Sequence, residues 1–178
     1  GLDSKKQVAL YRQFLADESF APGIRAEWHT AFGFVLERFR RYQEAVTAFE
    51  TAIALDPGIA PAHWGLRGLH WMKREWDKVA ESFQAEIPHE YNPARRSSLQ
   101  YWAGIVQEMC KHHEDALQLY RDAQSTDVKN PIPLLALLLA EGKDTDPYQI
   151  AVYADQLSEL VRDTELRSGL QQYSARLF

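Results

Sequence analysis

A single cysteine, Cys110, is the chain's entire thiol content. That excludes an internal disulfide and any cysteine zinc cluster. Glycine and proline are also sparse, nine and eight, which excludes long flexible or proline-rich low-complexity tracts. No apolar run approaches the ~18–20 residues that span a bilayer. The longest, Leu134 to Ala140, falls far short, so no direct membrane insertion is expected. The N-terminal residues Gly1 to Lys6 are polar and carry no signal-peptide hydrophobic region. There is no basic excess either. Twenty Lys and Arg face 25 Asp and Glu, a formal net charge of −5, which argues against a nucleic-acid partner. One cysteine suits the cytoplasm and leaves the periplasm open.

What is present reads as helix. Hydrophobic residues make up 46% and charged residues 25%, the balance of a folded domain. β-branched residues are scattered, and no segment alternates with period two. Apolar residues recur instead at helical spacing, as in Ala45, Ala48, Phe49, Ala52 and Ile53, or Ala116, Leu119, Tyr120 and Ala123. Asp56-Pro57-Gly58, Tyr91-Asn92-Pro93, Asn130-Pro131 and Asp146-Pro147 punctuate these stretches.

The stripes also repeat. Tyr42 and Trp76, Ala45 and Val79, and Phe49 and Phe83 are each 34 residues apart. The next step is 37, from Val79 to Ala116 and Phe83 to Tyr120, so three extra residues fall around Pro88 to Arg96. A further 34 links Ala116 to Ile150 and Tyr120 to Ala154. The units are 26–59, 60–93, 97–130 and a degenerate 131–162, each two helices and a turn. A helix over 3–21 precedes them and a helix over 163–178 follows, the first opening on the capping-box pattern Ser4-Lys5-Lys6-Gln7.

This pattern resembles the tetratricopeptide repeat, with its 34-residue period and W-x2-L-G-x2-Y, A-x3-F and P positions. The first unit is the most similar, with Phe32-Gly33, Leu36, Ala45, Phe49, Ala52 and Pro57. The third has Gly104, Ala116, Tyr120 and Ala123. The second departs, because Arg67 stands where glycine is expected and Gly68 follows it. The resemblance implies an all-α, right-handed superhelical solenoid of antiparallel helix-turn-helix repeats with terminal capping helices. The 3–21 helix then reads as a second-helix element whose first helix is missing, since Ala9-Leu10-Tyr11-Arg12 echoes Gln118-Leu119-Tyr120-Arg121.

In that family the second, fifth, ninth, twelfth and thirteenth residues of each unit face a concave groove. Here they are Glu27, Thr30, Phe34, Glu37 and Arg38, then Pro61, Trp64, Gly68, Trp71 and Met72, then Ser98, Tyr101, Ile105, Glu108 and Met109. Arg38, Arg67 or Arg95 would supply polar specificity. Aromatic and Met side chains suit a surface that anchors a protein or peptide partner. The alternatives are that the chain's own terminal helix fills the groove, or that these residues are core. Positions corresponding to the family's carboxylate clamp for chaperone tails, Thr30, Phe34, Gly65, Ser98 and Trp102, do not match it.

Three functions stay open: an interaction scaffold, a self-associating homo-oligomeric module, and a non-catalytic arm of a larger enzyme or secretion or envelope machine. No enzyme activity, cofactor or metal is expected. Cys110-Lys111-His112-His113 places a thiol beside imidazoles but offers no recognisable orienting group or oxyanion donor. His63 and His70 lie two turns apart on one helix, ~10 Å, too far to share one metal.

Overall fold

The computed structural model describes residues 4–140 and 146–177. Among them are ten α-helices, one short 3-10 turn and no strand. The helices are α1 (Ser4–Leu15), α2 (Pro22–Arg38), α3 (Tyr42–Leu55), α4 (Ala60–Met72), α5 (Trp76–Glu86), α6 (Pro93–Met109), α7 (His113–Thr126), α8 (Pro131–Ala140), α9 (Pro147–Leu160) and α10 (Thr164–Ala175). They gather into two compact units that divide between His89 and Glu90. The expected N-terminal helix ends at Leu15 rather than residue 21. The Ser4 side chain of its capping box lies outside the described residues.

Helix starts follow the punctuation. Proline opens α2, α6, α8 and α9, where its missing N–H has no helical partner to lose. The side chains of Asn92, Asp146 and Asp163 accept the backbone N–H of Arg95, Tyr148 and Leu166 at 3.1, 3.0 and 2.8 Å. Such caps contribute about 1 kcal/mol each.

The turns within the first three hairpins share one geometry. Arg40, Arg74 and Lys111 have φ of 60°, 57° and 64°. This is the left-handed conformation that usually selects glycine after a helix. The next residue's N–H then reaches back to close the helix. Arg41 donates to Leu36, Glu75 to His70 and His112 to Gln107, at 2.9, 3.0 and 2.9 Å. Side chains brace two of these turns. His70 Nδ1 meets Glu75 Oε2 at 2.6 Å, and His112 Nδ1 meets Gln107 Oε1 at 3.0 Å.

In the first unit the core is built on Phe49 of α3, which is fully buried. Its ring lies against two glycines on two other helices. A Cβ on Gly33 of α2 would sit 2.5 Å from Phe49 Cε1, and a Cβ on Gly65 of α4 only 2.8 Å from the same atom. Real Cβ atoms do not come so close, so both positions require glycine while the ring stays. Small residues Ala45, Ala52 and Ala62, with Leu36 and Leu69, fill the space around it. The α1 helix joins this core through Val8 and through Tyr11, which stacks on Phe32 at 5.6 Å.

The second unit repeats the device once. A Cβ on Gly104 of α6 would lie 2.7 Å from Cδ1 of the buried Tyr120 on α7. Around Tyr120 pack Ala116, Leu117, Leu134, Leu137, Tyr153 and Leu157 from α7, α8 and α9. Ser97 is fully buried and donates to the Ala123 carbonyl at 2.8 Å, while Asn130 donates to Ser97 at 3.2 Å. These bonds tie the start of α6 to the end of α7 and to the turn before α8.

Gly68, read as one of the groove-facing residues, plays no part in this close packing. It is exposed, and nothing lies within 4 Å of where its Cβ would be. Opposite outcomes follow. Gly65→Val forces the Phe49 ring to move and should cost about 1–3 kcal/mol. Gly68→Ala relieves only backbone entropy and should stabilise by about 0.5–1 kcal/mol. Urea denaturation of the two variants, read as midpoints at constant slope, checks both.

Candidate partner-binding surfaces

In the first unit the outward faces of α2 and α4 carry the expected aromatic residues. Trp64 is 67% exposed and Met72 60%. Trp71 is more sheltered, edge-on to Trp76 with ring centroids 5.0 Å apart. Phe34 is half-buried, edge-on to Phe49 at 5.0 Å and tilted against Trp64 at 5.9 Å. Phe34 thus links the core ring to the exposed indole. Arg38 is exposed, its guanidinium 5.5 Å from the Phe39 ring. Thr30 turns inward and donates to the Ala26 carbonyl at 2.8 Å.

In the second unit Tyr101 and Ile105 are half-buried and Met109 is exposed. Tyr101 rests against Tyr120 at 5.9 Å and Trp102 at 5.4 Å. Tyr101 and Ile105 form one wall of an open recess of about 480 Å³. The other wall is α8, through Ile132, Leu135 and Leu139, of which Leu139 is 79% exposed. The sequence reading left these three unnamed. The signal was there, since they are the second, fifth and ninth residues of the 131–162 unit. Glu108 and His113 edge this recess, and His113 Nδ1 meets Glu108 Oε1 at 2.9 Å. Burial, with Glu108 and Tyr101 adding, pushes the Tyr120 hydroxyl up to about 12, so it stays neutral beneath the recess.

Two further recesses of the first unit carry no sequence signal. An apolar one of about 340 Å³ is lined by Leu10, Tyr11, Phe14, Trp28 and Ala31 of α1 and α2. A polar one of about 540 Å³ runs between α3 and α5 above His63, Leu66 and His70 of α4. His63 Nε2 bonds to the Pro57 carbonyl at 2.9 Å, so that nitrogen carries the proton. Desolvation holds the His63 imidazole below its ordinary value, outweighing the Pro57 bond. Glu75 is held below the usual carboxylate range chiefly by its bond from His70, with Lys78 and Lys73 adding. No group of three or more His, Cys, Asp or Glu among the described residues is placed to hold a metal.

The succession of helix hairpins is that of a helical-repeat fold, and solved structures match it at the level of the fold. A tetratricopeptide-repeat protein, YrrB, described as having an unusual peptide-binding site, has a TM-score of 0.57 at 12% identity, over 85% of this chain and 86% of that one. A MamA crystal structure has a TM-score of 0.55 at 17% identity, over 98% of this chain and 92% of that one. MamA from Desulfovibrio magneticus RS-1, residue 41 to its end, has a TM-score of 0.57 at 17% identity, over 91% and 88%.

This is a tetratricopeptide-repeat fold.

No family model matches the sequence, and no curated protein does. Within this fold the second hairpin departs from the packing of the other two. Gly33 to Phe49, Gly104 to Tyr120 and Arg67 to Phe83 are each sixteen residues apart. In the middle case an arginine occupies the glycine position. Its guanidinium lies 4.3 Å from the Phe83 ring centroid and pairs with Glu86. Arg67 was expected to supply specificity at the groove. Its side chain is instead only 11% exposed and that of Glu86 6%. Arg95, also expected to supply specificity, is exposed but bonded to Glu90 at 3.3 Å.

A buried pair is costly to break and cheap to replace. Glu86→Ala should therefore destabilise by about 3–5 kcal/mol, by leaving the Arg67 charge unpaired. The double variant Arg67→Met with Glu86→Leu should recover most of that loss. Thermal and urea unfolding of the single and double variants check this. Equal losses in both would mean that the pair is not engaged as described.

Proposed function

We propose that the chain is a protein-interaction module with no catalysis of its own, and that it holds partner segments on the outward faces of its hairpins' first helices. In the first unit the face is Phe34, Trp64, Trp71 and Met72. In the second it is Tyr101, Ile105 and Met109 with Ile132, Leu135 and Leu139. The observation that carries the reading is exposure. Large aromatic and aliphatic side chains stand out on α4 and α8, and Trp64 and Leu139 are mostly bare. No described part of the chain covers them. Exposed contiguous apolar surface rimmed by polar groups is the usual mark of an interaction site. The rings behind it are fixed by the core, so binding orders little of the protein. The fold shared with YrrB, a protein described by its peptide-binding site, supports the same reading.

Selection of binding peptides from a displayed random library, followed by titration, tests it. Trp64→Ala and Trp71→Ala should each weaken a peptide held by the first unit, and Leu139→Ser one held by the second, by about tenfold or more, about 1.4 kcal/mol. Their unfolding free energies should stay within about 0.5 kcal/mol for the exposed Trp64 and Leu139. Affinities unchanged in all three variants would remove the reading. A peptide-free, concentration-dependent dimer abolished by the same substitutions would make the partner a second copy of this chain.

A further inference from the structure

Three glycines of this fold have a reason inside the protein, whereas Gly68, like Gly23 and Gly169, meets no neighbour within 4 Å. Gly33 and Gly65 admit the Phe49 ring, and Gly104 admits Tyr120. Gly68 lies in the interior of α4 and faces open space. A glycine there weakens the helix by about 1 kcal/mol relative to alanine. It is flanked by Trp64 four residues before and Trp71 three residues after, which puts all three on one face of the helix. Each indole is backed by another ring, Trp64 by Phe34 and Trp71 by Trp76. The result is a notch with two braced aromatic walls and a floor of bare helix backbone.

We propose that this notch takes a proline-rich segment in the polyproline-II conformation, with an acidic residue beyond one end. The inference rests on the reading of this face as a partner-binding surface and names the partner's chemistry. The first argument is spacing. Seven residues of helix separate the two Trp backbones by ~10.5 Å. A polyproline-II helix has three residues per turn and rises ~3.1 Å per residue. Prolines three apart therefore stand ~9.3 Å apart, close to the rise between the two Trp backbones. The segment between them lies over Gly68, where any side chain would hold it off. An amphipathic helix does not fit this floor as well, because its own side chains keep its axis some 8–10 Å from α4.

The second argument is hydrogen bonding. Polyproline-II carbonyls have no internal partners, and the indole N–H groups of Trp64 and Trp71 are donors only. Each indole can therefore stack on a proline ring and donate to a neighbouring carbonyl. The third argument is charge. No charged side chain of α4 reaches this face, since His63 and His70 are buried and Arg67 is held by Glu86. The C-terminal end is different. Lys73 and Arg74 follow the end of α4, and Arg38 and Arg40 lie at the end of α2 and in the turn after it, α2 and α4 being the first helices of successive hairpins. Among the described residues Arg38, Arg40 and Arg74 make no ion pair with a carboxylate. An acidic residue past the second proline would meet this basic end.

Three synthetic peptides test the inference by titration, followed through the indole N–H signals of Trp64 and Trp71. The first has two P-x-x-P turns and ends in two aspartates. The second replaces its prolines with alanine. The third is a leucine-based amphipathic helix of equal charge. The first peptide should bind and move both indole signals, and the second should bind about tenfold more weakly or worse. Gly68→Leu should also lose about tenfold or more, while its melting temperature stays equal or rises. That separates a filled notch from a damaged fold. If the helical peptide moves both indoles and the proline peptide does not, the inference is overturned and the binding surface stands. If no peptide moves either indole, the inference fails, and the library selection decides the surface separately. Binding of the first peptide that Gly68→Leu leaves unchanged would also overturn it.

Discussion

The contact on which the first unit depends is a benzene ring pressed onto two stretches of glycine backbone. Phe49 belongs to one hairpin, yet it touches Gly33 inside that hairpin and Gly65 in the next. One side chain therefore sets two helix–helix distances. It holds α3 against α2 and also fixes where α4 lies. Burying a Phe contributes about 1.5–3 kcal/mol in transfer terms alone. The second unit has its own copy of the inner contact in Tyr120 on Gly104. Alanines in both cores, among them Ala45, Ala52, Ala62 and Ala116, allow the close backbone approach, and leucines fill the remaining space.

The second hairpin shows the alternative solution to the same steric problem. With arginine in place of glycine the Phe83 ring cannot meet backbone, so it meets a guanidinium plane instead. Cation–π contact at such distance contributes about 0.5–2 kcal/mol. The charge then requires Glu86, and the pair stays inside the unit. Turning Arg67 inward has an outward effect. The exposed face of α4 is left without charge, and aromatic residues dominate it. Trp64 and Trp71 thus stand beside an open glycine, not beside a solvated cation.

Much of this was legible in the amino-acid sequence. The hairpins, their turns and the Gly33–Phe49 and Gly104–Tyr120 positions follow from period and register, and the outward Trp64, Trp71 and Met72 from what the family resemblance implies. The role of Gly65 did not. Register at 34 residues points to position 67, whereas Gly65 meets a ring from the preceding hairpin, and nothing in one unit's own pattern reveals that contact. Arg67 was misplaced for a related reason. A long cationic side chain reads as surface until its buried partner, nineteen residues on, is seen. Ile132, Leu135 and Leu139 were missed because α8 is apolar nearly throughout, so composition does not separate its buried Leu134 and Leu137 from its bare face.

Glycine therefore has two uses here, one under a ring and one beneath open aromatic walls, and the account depends on telling them apart. Nuclear Overhauser contacts between ring protons and glycine α-protons measure this directly. The Phe49 ring should show strong contacts to both Gly33 and Gly65, and the Tyr120 ring to Gly104. Gly68 α-protons should show contacts only within α4 and to its own flanking indoles. A Phe49 ring contact to Gly68, or none to Gly65, would contradict the packing on which both the fold and the proposed notch rest.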